Sequence, residues 1–312
     1  MSEVMTAPQT QAATPDYDNP DTPYRSVWSH MMQVPFTQAY IDVNGLRTRY
    51  IQAGPKDAPA VVLIHGTGGH WEAFCANIGE YAKHFNTYAF DMVGAGFTDK
   101  PDEDYEVHNL AKFTRDFMLT VGLTKAHLVG ISLGGWTAAR FASNYPELTD
   151  KIVLISPVGA KRLTPAAGGA NAEEEMAKRA MIVVDTTWAK TKSIFNGLIH
   201  EEKNVIPDLV KIRQTIHRLP NAEQNMKHVL AMAKPAAFER GALSDDELRG
   251  IKAPALIFVS EHDNPFFRKT AHVFGELIPG AKLIELANVA HWAQFETSDY
   301  FNETTVAFLR SA

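Results

Sequence analysis

The sequence has few of the features that mark secreted, membrane-spanning or nucleic-acid-binding proteins. Cys75 is its single cysteine, which excludes an intrachain disulfide framework and a thiolate metal site. No apolar run approaches the ~18 residues that a membrane-spanning helix needs, and the first residues lack the basic and apolar stretches of a signal peptide. Lysine and arginine number 30 against 36 acidic residues, so no basic surplus exists to attract nucleic acid or anionic lipid.

These absences favour a cytoplasmic protein whose partner is a small-molecule substrate, with neither nucleic acid nor a membrane as a partner. The sequence is compatible with a homo-oligomer. Motifs for bound cofactors are also missing. Gly94-Ala95-Gly96 lacks the third glycine of a dinucleotide-binding fingerprint, and neither a P-loop nor a His-Glu-x-x-His sequence occurs. We therefore expect no cofactor and no metal.

Apolar runs alternate with helical patterns along most of the chain, which has 312 residues. This alternation predicts an α/β protein with a mostly parallel sheet that helices cover on both faces. Strands are predicted at residues 39–43, 47–51, 60–64, 87–90, 126–129, 151–156, 255–260 and 282–286. Helices outside the insertion described below are predicted at residues 72–85, 109–121, 136–145, 268–277 and 300–309.

Two stretches depart from this alternation. Residues 1–25 are rich in Pro, Thr, Gln, Asp and Ala, which predicts a disordered or loosely docked tail. Residues 158–248 show helical patterns and no strand pattern, including a predicted helix at residues 172–184, and we interpret them as an inserted helical cap. Residues 26–157 and 249–312 would then form the α/β core.

The central motif is residues 130–135, Gly-Ile-Ser-Leu-Gly-Gly, which follow a predicted strand and precede a predicted helix. A strand, Gly-x-Ser-x-Gly and a helix together form a nucleophile elbow, in which a tight turn needs small residues on both sides of the serine. Gly130 and Gly134 supply them. The motif therefore predicts Ser132 as a catalytic nucleophile at the N-terminus of a helix, where backbone N–H groups stabilise negative charge.

A serine hydroxyl needs a neighbouring base, which an acid orients. The chain order Ser, Asp, His is one of the orders in which such triads occur. Asp263 follows the predicted strand at residues 255–260, and His291 follows the last predicted strand. Carboxyl ends of parallel strands meet at one edge of a sheet, so we predict Ser132, Asp263 and His291 as the triad, with Glu261 as the alternative acid.

An oxyanion hole requires two backbone N–H groups. One is expected at Leu133, directly after the nucleophile, and the other at Thr67 in the glycine-rich turn after the strand at residues 60–64. Gly66 and Gly68 flank Thr67 and are expected to line the substrate site. His65 begins this turn, and we interpret it as an orienting residue.

With these residues in place, residues ~36 to 312 resemble the α/β-hydrolase superfamily, and within it the meta-cleavage-product hydrolases, which cut a C–C bond in ring-opened aromatic catabolites. The stretches that carry the resemblance are residues 91–99, 126–130 and 291–296. The resemblance implies the α/β-hydrolase fold with a helical cap. It also implies that Arg213 and Trp292, at the positions matching the family's cap arginine and the tryptophan after the catalytic histidine, bind the dienol-carboxylate end of the substrate.

Two positions depart from the family pattern. Ile131 stands before the nucleophile where the family usually has Asn, and we include Ile131 in the expected substrate site. Residues 67–70 read Thr-Gly-Gly-His where the family usually has a Pro-Gly pair. The leading hypothesis is a serine hydrolase that cleaves a C–C bond in a 2-hydroxy-6-oxo-dienoate. The alternatives are a carboxylesterase or lactonase acting on small apolar esters, and a ligand receptor without turnover.

Overall fold

A nine-stranded sheet forms the centre of the molecule. The structure, a computed structural model, describes residues 3–6, 25–164 and 183–311. The strands are β1 (Glu3–Thr6), β2 (Phe36–Val43), β3 (Leu46–Ala53), β4 (Ala60–Ile64), β5 (Asn86–Phe90), β6 (Ala126–Ile131), β7 (Thr149–Ile155), β8 (Ala255–Ser260) and β9 (Lys282–Ala287). Their order is β1-β9-β8-β7-β6-β4-β5-β3-β2. The two antiparallel pairs are those of β3 with β2 and with β5, and the other six pairs are parallel, so the prediction of a mostly parallel sheet is confirmed.

The central strands of the sheet have continuous apolar sequences because helices cover both faces of the sheet. Every residue of β4, β6 and β8 is buried, as expected for parallel strands between two helical layers. Val62 and Ile64 of β4 belong to one apolar cluster, whereas Val61 and Leu63 belong to a second cluster on the opposite face. This alternation follows from the two-residue period of a strand.

Helices cover both faces of the sheet, as predicted. They are α1 (Val27–Met31), α2 (Cys75–Tyr81), α3 (Val107–Thr120), α4 (Leu133–Asn144), α5 (Trp188–Ser193), α6 (Pro207–His217), α7 (Ala222–Ala231), α8 (Pro235–Gly241), α9 (Asp245–Arg249), α10 (Pro265–Leu277), α11 (Ala293–Glu296) and α12 (Ser298–Arg310). Side chains of α3, α4 and α10 enter the first apolar cluster, and those of α1, α2 and α12 enter the second. No helix in the described part of the chain is both long and apolar enough to cross a membrane.

The stretch interpreted as a tail contributes a strand that the sequence analysis does not predict. The backbone of β1 pairs in parallel with β9, from Glu3 opposite Ile284 to Thr6 opposite Ala287. The pairing covers an edge of β9 that would otherwise expose unpaired backbone groups. Residues 7–24 lie outside the described residues, as do most of residues 172–184, for which a helix is predicted.

Between β7 and β8, residues 158–164 and 183–248 contain helices and short 3-10 turns but no strand of the sheet. An isolated bridge joins Ala160 to Leu243 near the two ends of this segment. The Gly241 carbonyl accepts hydrogen bonds from Trp136 Nε1 at 3.1 Å and from Arg140 Nη2 at 2.9 Å. The segment is thereby attached to α4, the helix that begins at Leu133.

Candidate active site

Ser132 lies in a strained turn between β6 and α4. Its φ and ψ are 57° and −117°, a backbone region that non-glycine residues rarely adopt and that is concentrated at functional sites. A Cβ atom at Gly130 would lie 2.2 Å from the Gly134 carbonyl oxygen, and one at Gly134 would lie 2.0 Å from the Ile64 carbonyl oxygen. Any larger residue at either position would have to displace backbone. The Gly-x-Ser-x-Gly spacing is thus required by close packing of the turn against β4.

His291 and Asp263 are in direct contact. His291 Nδ1 lies 3.0 Å from each carboxylate oxygen of Asp263, and both side chains are buried. Because a carboxylate accepts a hydrogen bond, Nδ1 carries the proton and Nε2 of a neutral imidazole keeps its lone pair. The Phe267 ring packs 4.5 Å from the imidazole, centroid to centroid. This pair has the geometry of an oriented general base.

Ser132, Asp263 and His291 follow β6, β8 and β9 and lie at the same edge of the sheet. Within the described residues, no hydrogen bond of 3.5 Å or less joins Ser132 Oγ to His291; such contacts often tighten only when substrate binds. The alternative acid, Glu261, does not pair with His291. Its carboxylate is half-exposed and accepts a hydrogen bond from the backbone N–H of Asn288 at 2.9 Å.

The glycine-rich turn after β4 packs directly against the nucleophile. A Cβ atom at Gly66 would lie 3.2 Å from Ser132 Cβ and 3.7 Å from Ser132 Oγ, so only a glycine leaves this space open. Gly68 adopts a left-handed φ of 60°, and Thr67 between them is exposed. Leu133 is the first residue of α4, so its N–H has no acceptor within the helix. The glycine-rich turn and the start of α4 therefore both border the serine.

His65 fixes the start of this turn. Its Nδ1–H donates to the Gly66 carbonyl at 2.7 Å, while its Nε2 accepts from the Met92 N–H at 3.1 Å. Burial lowers the pKa of His65 to about 4, so the ring is neutral and can make both contacts at once. The geometry agrees with the interpretation of His65 as an orienting residue.

A buried ion cluster supports the other end of the turn. Arg49 donates to Asp91 at 2.7 Å and to Glu72 at 2.7 Å, and His70 Nδ1 lies 2.8 Å from Glu72. Burial alone would raise the pKa of Glu72, but His70 and Arg49 lower it to about 2. Asp91 also accepts from the backbone N–H of Trp71 at 2.8 Å. The cluster ties the turn to β3 and to the end of β5.

The side chain of Arg213, in α6, contacts the glycine-rich turn at Gly68. One of its terminal nitrogens, Nη1, lies 3.1 Å from where a Cβ atom of Gly68 would be, and the residue is only 4% exposed. Its Nε has no hydrogen-bond partner, and no carboxylate among residues 3–6, 25–164 and 183–311 forms a salt bridge with it. Burial lowers the pKa of Arg213 to about 10, which leaves the guanidinium charged at neutral pH.

Trp292 and Ile131 lie in the apolar cluster on the α1, α2 and α12 face. The Trp292 ring makes an edge contact with Phe195, 5.7 Å between centroids, and the backbone N–H of Trp292 donates to the Leu198 carbonyl at 2.8 Å. The loop that carries His291 is therefore bound to the helical segment that precedes α6.

Two cavities meet at Gly68. The first is small, with a volume of about 10 Å³, and has a largely apolar wall that includes His65, Gly66, Leu133 and Met232. The second has a volume of about 20 Å³, and its polar lining residues are Lys100, His217 and Asn225. In the part of the chain that the structure describes, no three His, Cys, Asp or Glu side chains are grouped so as to hold a metal ion.

Glu296 is a residue of the site region that sequence reasoning missed. Its carboxylate accepts hydrogen bonds from two backbone N–H groups, that of Ala290 at 2.9 Å and that of His200 at 2.6 Å. Burial, with Asp263 and Glu201 nearby, raises the pKa of Glu296 to about 7 despite these bonds. Glu296 thus joins the residue before His291 to the helical segment. The sequence signal was its place five residues after His291 in the stretch that carried the family resemblance.

Comparison with known proteins agrees with this geometry. Residues 59–298 match the family described as alpha/beta hydrolase fold. The chain is 27% identical to carboxylesterase YbfK of Bacillus subtilis, over 86% of each chain. It is 28% identical to 2-hydroxy-6-oxo-6-phenylhexa-2,4-dienoate hydrolase of Comamonas testosteroni, over 86% of this chain and 93% of the relative.

Among solved structures, a variant of the meta-cleavage product hydrolase CumD of Pseudomonas fluorescens IP01 superposes with a TM-score of 0.76 at 26% identity, over 88% of this chain and 98% of CumD. The names of the two relatives and of CumD cover both activities that the sequence analysis considered, ester hydrolysis and C–C bond hydrolysis.

The raised pKa of Glu296 predicts a pH-dependent contribution to stability. Because the folded pKa of about 7 exceeds the ordinary 4.5, the folded state binds more protons than the unfolded state between these values. The contribution is fully present below pH 4.5 and is lost as pH rises through 7. Relative to Glu296→Gln, the wild type should lose about 1–3 kcal/mol of unfolding free energy between roughly pH 4.5 and pH 8.

Urea unfolding at the two pH values measures this difference. Glu303→Gln, which changes an exposed glutamate on α12, serves as the control and should keep the wild-type pH dependence. An identical pH dependence in the wild type and Glu296→Gln would contradict the prediction.

Proposed function

Because the chain belongs to the α/β-hydrolase fold family and is a hydrolase of that fold, we propose that it acts through a Ser132–His291–Asp263 triad. Ser132 Oγ attacks a carbonyl carbon of the substrate, and its proton passes to His291 Nε2. The N–H groups of Leu133 and Thr67 hold the oxyanion. The bond to the leaving group breaks, His291 returns the proton to that group, and a water activated by His291 then releases the acyl group from Ser132.

The observation that carries the triad is the buried contact between His291 Nδ1 and Asp263, 3.0 Å to both oxygens, at the sheet edge where Ser132 occupies a strained turn. The contact fixes the tautomer that a base needs, and Asp263 stabilises the imidazolium that forms. Glu261 is excluded from this role by its position. We assign residues 158–248 to a helical cap over this edge and residues 26–157 and 249–312 to the hydrolase core.

For the substrate, we propose an acid of the 2-hydroxy-6-oxo-dienoate type, in which the bond broken is a C–C bond and the carbon released takes up the proton. Arg213 carries this choice. Among the described residues no carboxylate pairs with its buried guanidinium. A buried charge is costly without a partner, and a substrate carboxylate would pair with it bidentately. The other end of the substrate would lie against the apolar residues beside His65 and Leu133, and Trp292 would help Arg213 to hold the carboxylate end.

The second candidate is a carboxylesterase or lactonase for small apolar esters. Ile131, directly before the nucleophile, offers no polar atom to a substrate enol, and carboxylesterase YbfK is among the relatives of similar identity. In that case the same triad would act, and Arg213 would play no part in substrate binding.

Replacement of the nucleophile tests the triad. Ser132→Ala should lower kcat by roughly 10⁴- to 10⁶-fold, because loss of a triad member leaves only binding and the oxyanion hole. Steady-state hydrolysis of p-nitrophenyl butyrate measures the effect. Ser260→Ala, at another buried serine at the end of a strand, should retain activity within about twofold. A Ser132→Ala enzyme that keeps a tenth of the activity would refute the triad, and a wild type without multiple turnovers would favour a receptor.

Replacement of Arg213 separates the two substrate classes. Arg213→Ala should reduce kcat/KM for 2-hydroxy-6-oxo-6-phenylhexa-2,4-dienoate roughly 30- to 1,000-fold, because a partly buried carboxylate loses its partner. This factor corresponds to a loss of about 2–4 kcal/mol of transition-state stabilisation. The kcat/KM for p-nitrophenyl butyrate should change little. Arg218→Ala, which removes an exposed arginine one residue beyond the same helix, is the control. If the ratio of the two kcat/KM values is the same in Arg213→Ala as in the wild type, the result favours the carboxylesterase or lactonase hypothesis.

A further inference from the structure

We propose that His217 is a substrate-binding residue that recognises a hydroxyl or oxo group on the carbon next to the carboxylate held by Arg213. The inference rests on the proposed function and deepens it, because it assigns a residue of this chain to the 2-hydroxy or 2-oxo group of the proposed acid. Neither the sequence motifs nor the residues that carry the family resemblance include His217.

His217 is a buried polar side chain without hydrogen bonds. It is 5% exposed, and neither of its ring nitrogens has a hydrogen-bond partner in the described structure. A buried polar group without a partner lowers the stability of the fold, and such groups in native proteins call for an explanation. A ligand that supplies the missing partner is the explanation that fits a side chain in a cavity wall.

The position of His217 places it beside Arg213. Both residues belong to α6, with His217 one turn after Arg213, and residues four apart on a helix have Cβ atoms about 5–6 Å apart. The two side chains are close enough that Arg213 lowers the pKa of His217. Two neighbouring groups of one ligand, a carboxylate and a substituent on the next carbon, can therefore reach the two side chains together.

His217 is neutral and therefore suits an uncharged group of the ligand. Burial is the main cause of a pKa lowered to about 3, and the charges of Arg213 and His70 lower it further. The ring is therefore neutral and presents one N–H donor and one lone pair. A neutral imidazole suits a hydroxyl or a ketone oxygen, whereas the guanidinium of Arg213 suits the anion.

The other polar side chains of this cavity wall already have partners. Lys100 Nζ donates to the carbonyls of Gly96 and Thr98, each at 2.8 Å. The Asn225 amide donates to the Gly94 carbonyl at 2.8 Å, and its oxygen accepts from Tyr105 at 3.1 Å. Of these three polar residues, His217 is thus the one whose polar atoms all lack a hydrogen-bond partner.

Equilibrium binding by calorimetry tests the inference without depending on catalysis. The probes are 2-oxopentanoate and pentanoate, which differ only in the oxo group beside the carboxylate. Wild type should bind 2-oxopentanoate about tenfold more tightly, the effect of one hydrogen bond. His217→Leu should bring the two affinities to within about twofold, while Arg213→Ala should weaken both acids by a similar factor.

His217→Gln keeps a hydrogen-bond donor and an acceptor, so this variant should retain part of the preference for 2-oxopentanoate over pentanoate. It thereby shows whether the effect of His217→Leu comes from a lost hydrogen bond or from changed packing. Equal binding of the two acids to wild type, or an equal loss for both in His217→Leu, would overturn the role of His217 while leaving the anion site in place. If neither acid binds wild type, the carboxylate site and the role of His217 both fail, and the hydrolysis of p-nitrophenyl butyrate shows separately whether the triad stands.

Discussion

The contact between the β6–α4 turn and the end of β4 is the constraint on which the site depends. At Gly134 even a single added carbon would lie 2.0 Å from the Ile64 carbonyl oxygen, so the start of α4 touches the backbone of β4. The same contact places Ser132 beside the turn that begins at His65, with Gly66 against the serine side chain. The positive φ of Ser132 is the strain that accompanies this packing. One close approach of two backbones thus positions the proposed nucleophile and the turn that carries a proposed oxyanion donor.

Buried polar contacts hold the two flanking loops to this centre. The Arg49, Asp91 and Glu72 cluster fixes the glycine turn, and Glu296 fixes the residue before His291 to the helical segment. Each cluster connects elements far apart in sequence, so the geometry of the proposed active site depends on the assembled fold. Rigid donors that do not reorganise during reaction are the main source of electrostatic catalysis.

Much of this structure could be predicted from the sequence because its strands are buried on both faces and read as continuous apolar runs, as in Ala60–Ile64. The pairing of Asp263 with His291 follows from motif order and strand ends. Other features could not be predicted. β1 is four residues long in a stretch with a polar composition, and its partner β9 lies almost 280 residues away. In the sequence Glu296 and His217 are ordinary positions on helices. The burial of both side chains, the distant backbone partner of Glu296 at His200 and the absence of partners at His217 are tertiary properties.

Covalent trapping of the nucleophile tests the central claim most directly. A fluorophosphonate ester should react with the wild type to form one adduct per chain, measured by intact mass, and peptide mapping should place it on Ser132. His291→Ala should react far more slowly, because the base that activates Ser132 is gone. Ser156 and Ser260 are buried serines at the ends of β7 and β8, and their hydroxyls have no hydrogen-bond partner in the described residues. An adduct on either of them, or no adduct at all, would contradict the assignment of Ser132 as the nucleophile.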